Sequence, residues 1–100
     1  MTVEEFRASL KAGEPPQDLA LAGLWWDAKG NWTRAHESAQ QDKGPAGAWV
    51  HAYLHRKEGD LSNARYWYNR ARKSMEQGSL DSEWEQIATS LLLDLQKLKS

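Results

Sequence analysis

A glycine followed by Asn or Asp recurs twenty-nine residues apart, at Gly30-Asn31 and Gly59-Asp60, each time with the same kind of company. A small residue stands seven places before each glycine, Gly23 and Ala52, and another five places after it, Ala35 and Ala64. An apolar helical run that meets a glycine predicts a helix and its stop, and the Asn or Asp behind it predicts the cap of the next helix. Small side chains at these offsets let two helices cross closely. The chain is therefore expected to fold as a stack of antiparallel helical hairpins.

The same logic extends to both ends. Thr2 with Glu5 forms a capping box for a helix running through Phe6 and Leu10 to about Ala12, where Gly13 ends it. Beyond Glu14-Pro15-Pro16, a second helix is expected from Pro16 or Gln17, apolar on all sides from Leu19 to Trp26 and so buried between neighbours. A third runs from Trp32 to about Gln41, with Trp32, Ala35, His36 and Ala39 facing inward. Pro45 opens a fourth, which ends at Glu58 before Gly59. Leu61, Ala64, Tyr68, Ala71 and Met75 repeat at three and four, which predicts a fifth helix as far as Gly78. The sixth is expected from a Ser82–Glu85 capping box, with the stripe Trp84, Ile87, Ala88, Leu91, Leu95 and Leu98.

No segment alternates like a strand, so the fold class is all-α, six helices in one domain over residues 1–100. The hairpins occupy about 17–42 and 45–77, and packing helices occupy about 2–12 and 82–99.

The second hairpin, with Ala52, Gly59, Ala64, Tyr68 and Ala71, resembles a tetratricopeptide repeat; the first, with Gly23, Trp26, Gly30, Ala35 and Ala39, resembles a degenerate one. Asp42 stands where the last alanine of the pattern belongs, and the period of twenty-nine is shorter than the family's. The run from Ala48 to Ala71 is also similar to one found in small uncharacterised bacterial proteins, a likeness that brings no function with it. The tetratricopeptide resemblance implies a module that binds partner proteins or peptides in a groove.

Composition narrows the partners. Thirteen basic and fourteen acidic residues give the whole chain no electrostatic bias. Residues 56–75 nevertheless carry a net charge of +4, six basic against two acidic. There Arg65, Tyr66, Trp67 and Arg70 make an aromatic and basic contact surface, with His51 and His55 at its edge. An acidic peptide is the expected kind of partner, ahead of nucleic acid. The plainer alternative pairs these arginines with the acidic segment after Glu76. The longest apolar run, Leu19 to Trp26, is too short for a bilayer, so no membrane partner is expected. The absence of cysteine and the lack of a signal pattern at the start point to the cytoplasm. Six tryptophans suit a small helical core, or an aromatic-lined binding surface. Leu92 and Leu93 widen the last stripe and raise a second copy of the chain as a partner.

One constellation carries chemistry. His51 and His55 lie four apart on one helix, and His36 is expected on the inner face of the helix before it. Three imidazoles, with a carboxylate from Asp27, Glu37 or Glu58, could hold zinc or another transition metal. The histidine pair lacks the internal glutamate of a helical metalloprotease motif, and the plainer role is hydrogen bonding at a helix interface. No glycine-rich phosphate loop, nucleophile elbow or cysteine nucleophile is present, so no catalytic residue is assigned and an enzyme is not the expectation. The first expectation is a peptide-binding helical module; the alternative is a metal- or small-ligand-binding protein using His36, His51 and His55.

Overall fold

The computed structural model describes residues 1–99, with every side chain among them except those of Ala12, Leu98 and Lys99. It is built from helices, α1 Val3–Ala12, α2 Leu19–Ala28, α3 Trp32–Gln41, α4 Pro45–Glu58, α5 Leu61–Ala71 and α6 Leu80–Lys99, and no strand occurs among the described residues. Most starts are made by the predicted caps. Thr2 and Glu5 exchange both capping-box bonds, and Asn31 and Asp60 accept from Arg34 N and Asn63 N. Gly30 and Gly59 sit at φ +81° and +89°, the left-handed conformation that lets a helix stop and turn within three residues.

Three boundaries differ from expectation. α2 begins at Leu19, not at Pro16 or Gln17, because the Asp18 side chain accepts from Leu21 N and caps the helix there. α5 ends at Ala71, well before Gly78. Its last carbonyls are closed by Arg72 N to Asn69 O and Lys73 N to Tyr68 O, with Arg72 at φ +60°. Glycine or asparagine is usual at that place; an arginine there costs about 1 kcal/mol. α6 begins at Leu80, and the Ser79 hydroxyl accepts from Ser82 N in place of the expected Ser82–Glu85 box.

α4 is the hub. It packs against α5, α3, α2 and α6, which is why its residues from Gly47 to His55 are all buried. Gly23 shows why small residues matter at the crossing: a Cβ there would lie 3.0 Å from Val50 Cγ1 and 3.3 Å from Ala35 O. Ala52 and Ala64 are likewise fully enclosed. Each large apolar side chain buried in this core contributes about 1.5–3 kcal/mol. α1 closes one side through Phe6, whose ring stacks on Trp84 with centroids 5.6 Å apart. Trp84, Ile87, Ala88 and Leu91 turn inward as predicted, and Leu92 is buried too, while Leu93 is exposed. Leu98 belongs to the predicted stripe but its side chain lies outside those described. Among the described residues no helix is long and apolar enough to cross a membrane.

Two buried carboxylates lock the helices together. Asp27 of α2 accepts from Tyr53 Oη at 2.9 Å and Lys57 Nζ at 2.8 Å, both on α4. Glu83 of α6 accepts from Arg56 at 2.9 Å and from Tyr68 Oη at 2.5 Å. Burial, then the adjacent carboxylate, pushes both phenols well above the ordinary tyrosine range, so they remain donors. Asp27 is thereby committed away from the histidines, contrary to its expected place among their carboxylate partners.

Candidate metal centre

His51 and His55 stand one turn apart on α4, and α3 lays His36 across them. Ring centroids are 4.5 Å apart for His36–His51, 4.8 Å for His51–His55 and 5.4 Å for His36–His55. One ring nitrogen from each lies within 4.8 Å of the other two. The sequence places the three on adjoining helices; the structure brings them to one point.

Tryptophans hold the rings from both sides. Trp67 of α5 stacks on His51 at 3.9 Å and 15°, and Trp32 of α3 stacks on His36 at 4.9 Å and 15°. Trp32 is itself pinned to α4, donating from Nε1 to the Leu54 carbonyl at 3.3 Å. Both are half-buried against the edge of the core, whereas Trp25, Trp49 and Trp84 are buried within it. Three tryptophans therefore fill the interior while two flank the histidines.

The hydrogen bonding is asymmetric. His55 Nδ1 lies 2.6 Å from Glu58 Oε1, so Nδ1 is the nitrogen turned to the carboxylate and Nε2 is the one left to face a ligand. Among the described residues His36 and His51 have no hydrogen-bond partner, although His51 is only 4% exposed. Burial first, then the proximity of His36 and His55, pushes His51 down to about 4. Burial and His55 lower His36 as well, against the opposing pull of Glu58 and Glu37. Both rings are therefore neutral at pH 7, with lone pairs available to a Lewis acid. Of the three carboxylates expected nearby, only Glu58 touches a histidine. Glu37 stays exposed, and Asp60 completes a second, more exposed group with His55 and Glu58.

His51 also forms part of the wall of a cleft of about 480 Å³, with Ala48, Trp67 and Arg70. This joins the histidines to the basic surface of α5. On that surface Arg70 donates to Tyr66 Oη at 3.1 Å and lies over the rings of Tyr66 and Trp67. Arg65 is exposed. The expected pairing with the segment after Glu76 is made by Arg56, through Glu83 and the Gly78 carbonyl, and not by Arg65, Arg70 or Arg72. Lys43 and Arg72, which also line the cleft, had no signal in spacing, because each stands at the end of a different helix. The chain matches no family model, no curated protein and no solved structure.

Proposed function

We propose that this chain binds a divalent transition metal, zinc or a neighbour of it, through His36, His51 and His55. The observation that carries this reading is the convergence of three imidazoles, one nitrogen from each within 4.8 Å of the others. Zinc holds imidazole nitrogen at about 2.0–2.1 Å, so the rings would draw together by about 1–1.5 Å on binding. Glu58 would orient His55 through Nδ1, as carboxylates behind metal-ligating histidines commonly do. Three protein ligands leave a tetrahedral ion one open position for water or a further ligand. Binding, rather than a reaction, is the proposed function, and the cysteine-free composition fits the cytoplasm as its setting.

Metal analysis of the purified protein and calorimetric titration of the chelator-treated protein with zinc test it. One ion per chain is expected, with a rise in melting temperature on loading, and His51→Ala should weaken binding by about 100-fold or more. A protein that takes up no ion and shows no thermal shift with zinc, cobalt or nickel would overturn the reading.

A second reading is a tetratricopeptide-like module that binds an acidic peptide across α5. Its favouring observation is the ordered Arg70–Tyr66–Trp67 patch, in which Tyr66 is 52% exposed. It becomes the leading one if the metal titration is negative.

A further inference from the structure

Arg72 occupies a backbone position where its own side chain is a liability, at φ +60° behind the last turn of α5. It lines the cleft beside His51 together with Arg70 of α5 and Lys43 of the α3–α4 turn. Among the described residues none of the three forms a salt bridge. The Arg70 guanidinium meets only neutral groups, the Tyr66 hydroxyl and two aromatic rings. One carboxylate, Asp42, shares the cleft, and one of its oxygens is taken by Gly44 N at 2.9 Å.

The start of α4 opens on the same space. Gly44 and Pro45 line the cleft, and no side chain caps this helix, unlike α1, α2, α3 and α5. Its positive end adds to the field of the three cations, although Pro45 has no N–H and Gly44 N is taken by Asp42. His51 forms part of the wall, and its ring nitrogens make no hydrogen bond among the described residues but are not sealed from solvent.

From these groups we infer that the cleft is a binding site for the phosphate group of a small ligand. Three cations against one carboxylate leave an excess that matches a phosphate dianion, and guanidinium forks suit its oxygens. A volume of about 480 Å³ holds a phosphate with a modest organic group attached. The inference goes beyond the metal reading, since the cations bind an anion whether or not an ion sits on the histidines. The two are coupled through one ring: when one nitrogen of His51 is on a metal, the other becomes an N–H donor in need of an acceptor, which a phosphate oxygen supplies. Each ligand then tightens the other by the same factor.

The test is calorimetric titration with inorganic phosphate and with phenyl phosphate, on chelator-treated and on zinc-loaded protein at fixed ionic strength. Saturable one-to-one binding is expected, for both probes and in both forms of the protein. Arg72→Gly should weaken it by tenfold or more while leaving the melting temperature unchanged or higher, because glycine suits the left-handed backbone. Arg72→Asn, which tolerates the same conformation, should behave alike, and Lys11→Ala, on the exposed face of α1, should bind as the parent does. No saturable binding to the parent, or undiminished binding to both Arg72 variants, would overturn the inference. Zinc titration of Arg72→Gly separates the two readings. Zinc uptake without phosphate binding in the parent defeats only the anion site; phosphate binding without zinc uptake defeats only the metal site.

Discussion

His51 is an imidazole kept neutral by its surroundings, and this has a cost that can be measured. It is 4% exposed and held down to about 4, whereas in the unfolded chain it titrates near the ordinary value of 6.5. Between those values the unfolded chain binds a proton that the folded chain refuses. Stability from this group is therefore complete above pH 6.5 and is lost as pH falls towards 4. Each pH unit of that window withdraws up to about 1.4 kcal/mol. His36, lowered by the same burial, acts in the same direction. Urea denaturation at several pH values between 7.5 and 4.5 checks this, with His51→Phe as the reference that keeps a ring against Trp67. The parent should lose stability faster than the variant as pH falls; parallel curves would show that His51 titrates normally in the folded protein.

At the scale of the element, α4 is defined by what surrounds it. Its apolar pattern has no single face, because α2, α3, α5 and α6 all pack on it. Lys57, Arg56 and Tyr53 convert three of its polar positions into ties to Asp27 and Glu83. The two ties are not equivalent. Glu83 is 1% exposed with Arg56 at 15%, while Lys57 opposite Asp27 is 41% exposed. Glu83→Ala leaves the buried Tyr68 hydroxyl without its acceptor and the half-buried Arg56 guanidinium with only the Gly78 carbonyl, so a loss of about 3 kcal/mol is expected. Glu85→Ala, which removes an exposed pair 3.8 Å from Arg7, should cost no more than about 0.5 kcal/mol. Denaturant melts of the two variants make the comparison, and equal losses would show the Glu83 network to be dispensable.

At the scale of the whole molecule, the question left by α6 is what covers its surplus leucines. Leu92 is buried, and it shares a groove with Met1, Thr2 and Val3 at the start of α1. Among the described side chains only Leu93 and Met1 remain largely exposed there, at 51% and 59%. That is too little apolar surface for a stable two-fold interface. Light scattering at micromolar concentration should therefore give a mass near 11.4 kDa; twice that mass would mean that α6 meets a second copy after all. Helix number, most caps and the close crossings were legible in the sequence, because each depends on a few adjacent residues or on a period of three to four. Gly59, Asp60 and Ala64 carry their meaning in their own backbone preferences and sizes. The end of α5 was not legible, since Met75 continues the period and only the closure at Arg72 ends it. The histidines were legible as candidates, through the i, i+4 pair on one predicted helix and His36 on the next. Their meeting was not, nor was the diversion of Asp27 to Tyr53 and Lys57. Nor did any pattern link Lys43 to Arg72 in the wall of one cleft. Residues that act within one or two turns are governed by local backbone physics, which sequence determines directly. Residues brought together from three helices depend on crossing angles and on the fit of side chains between them, and only the packed structure decides those.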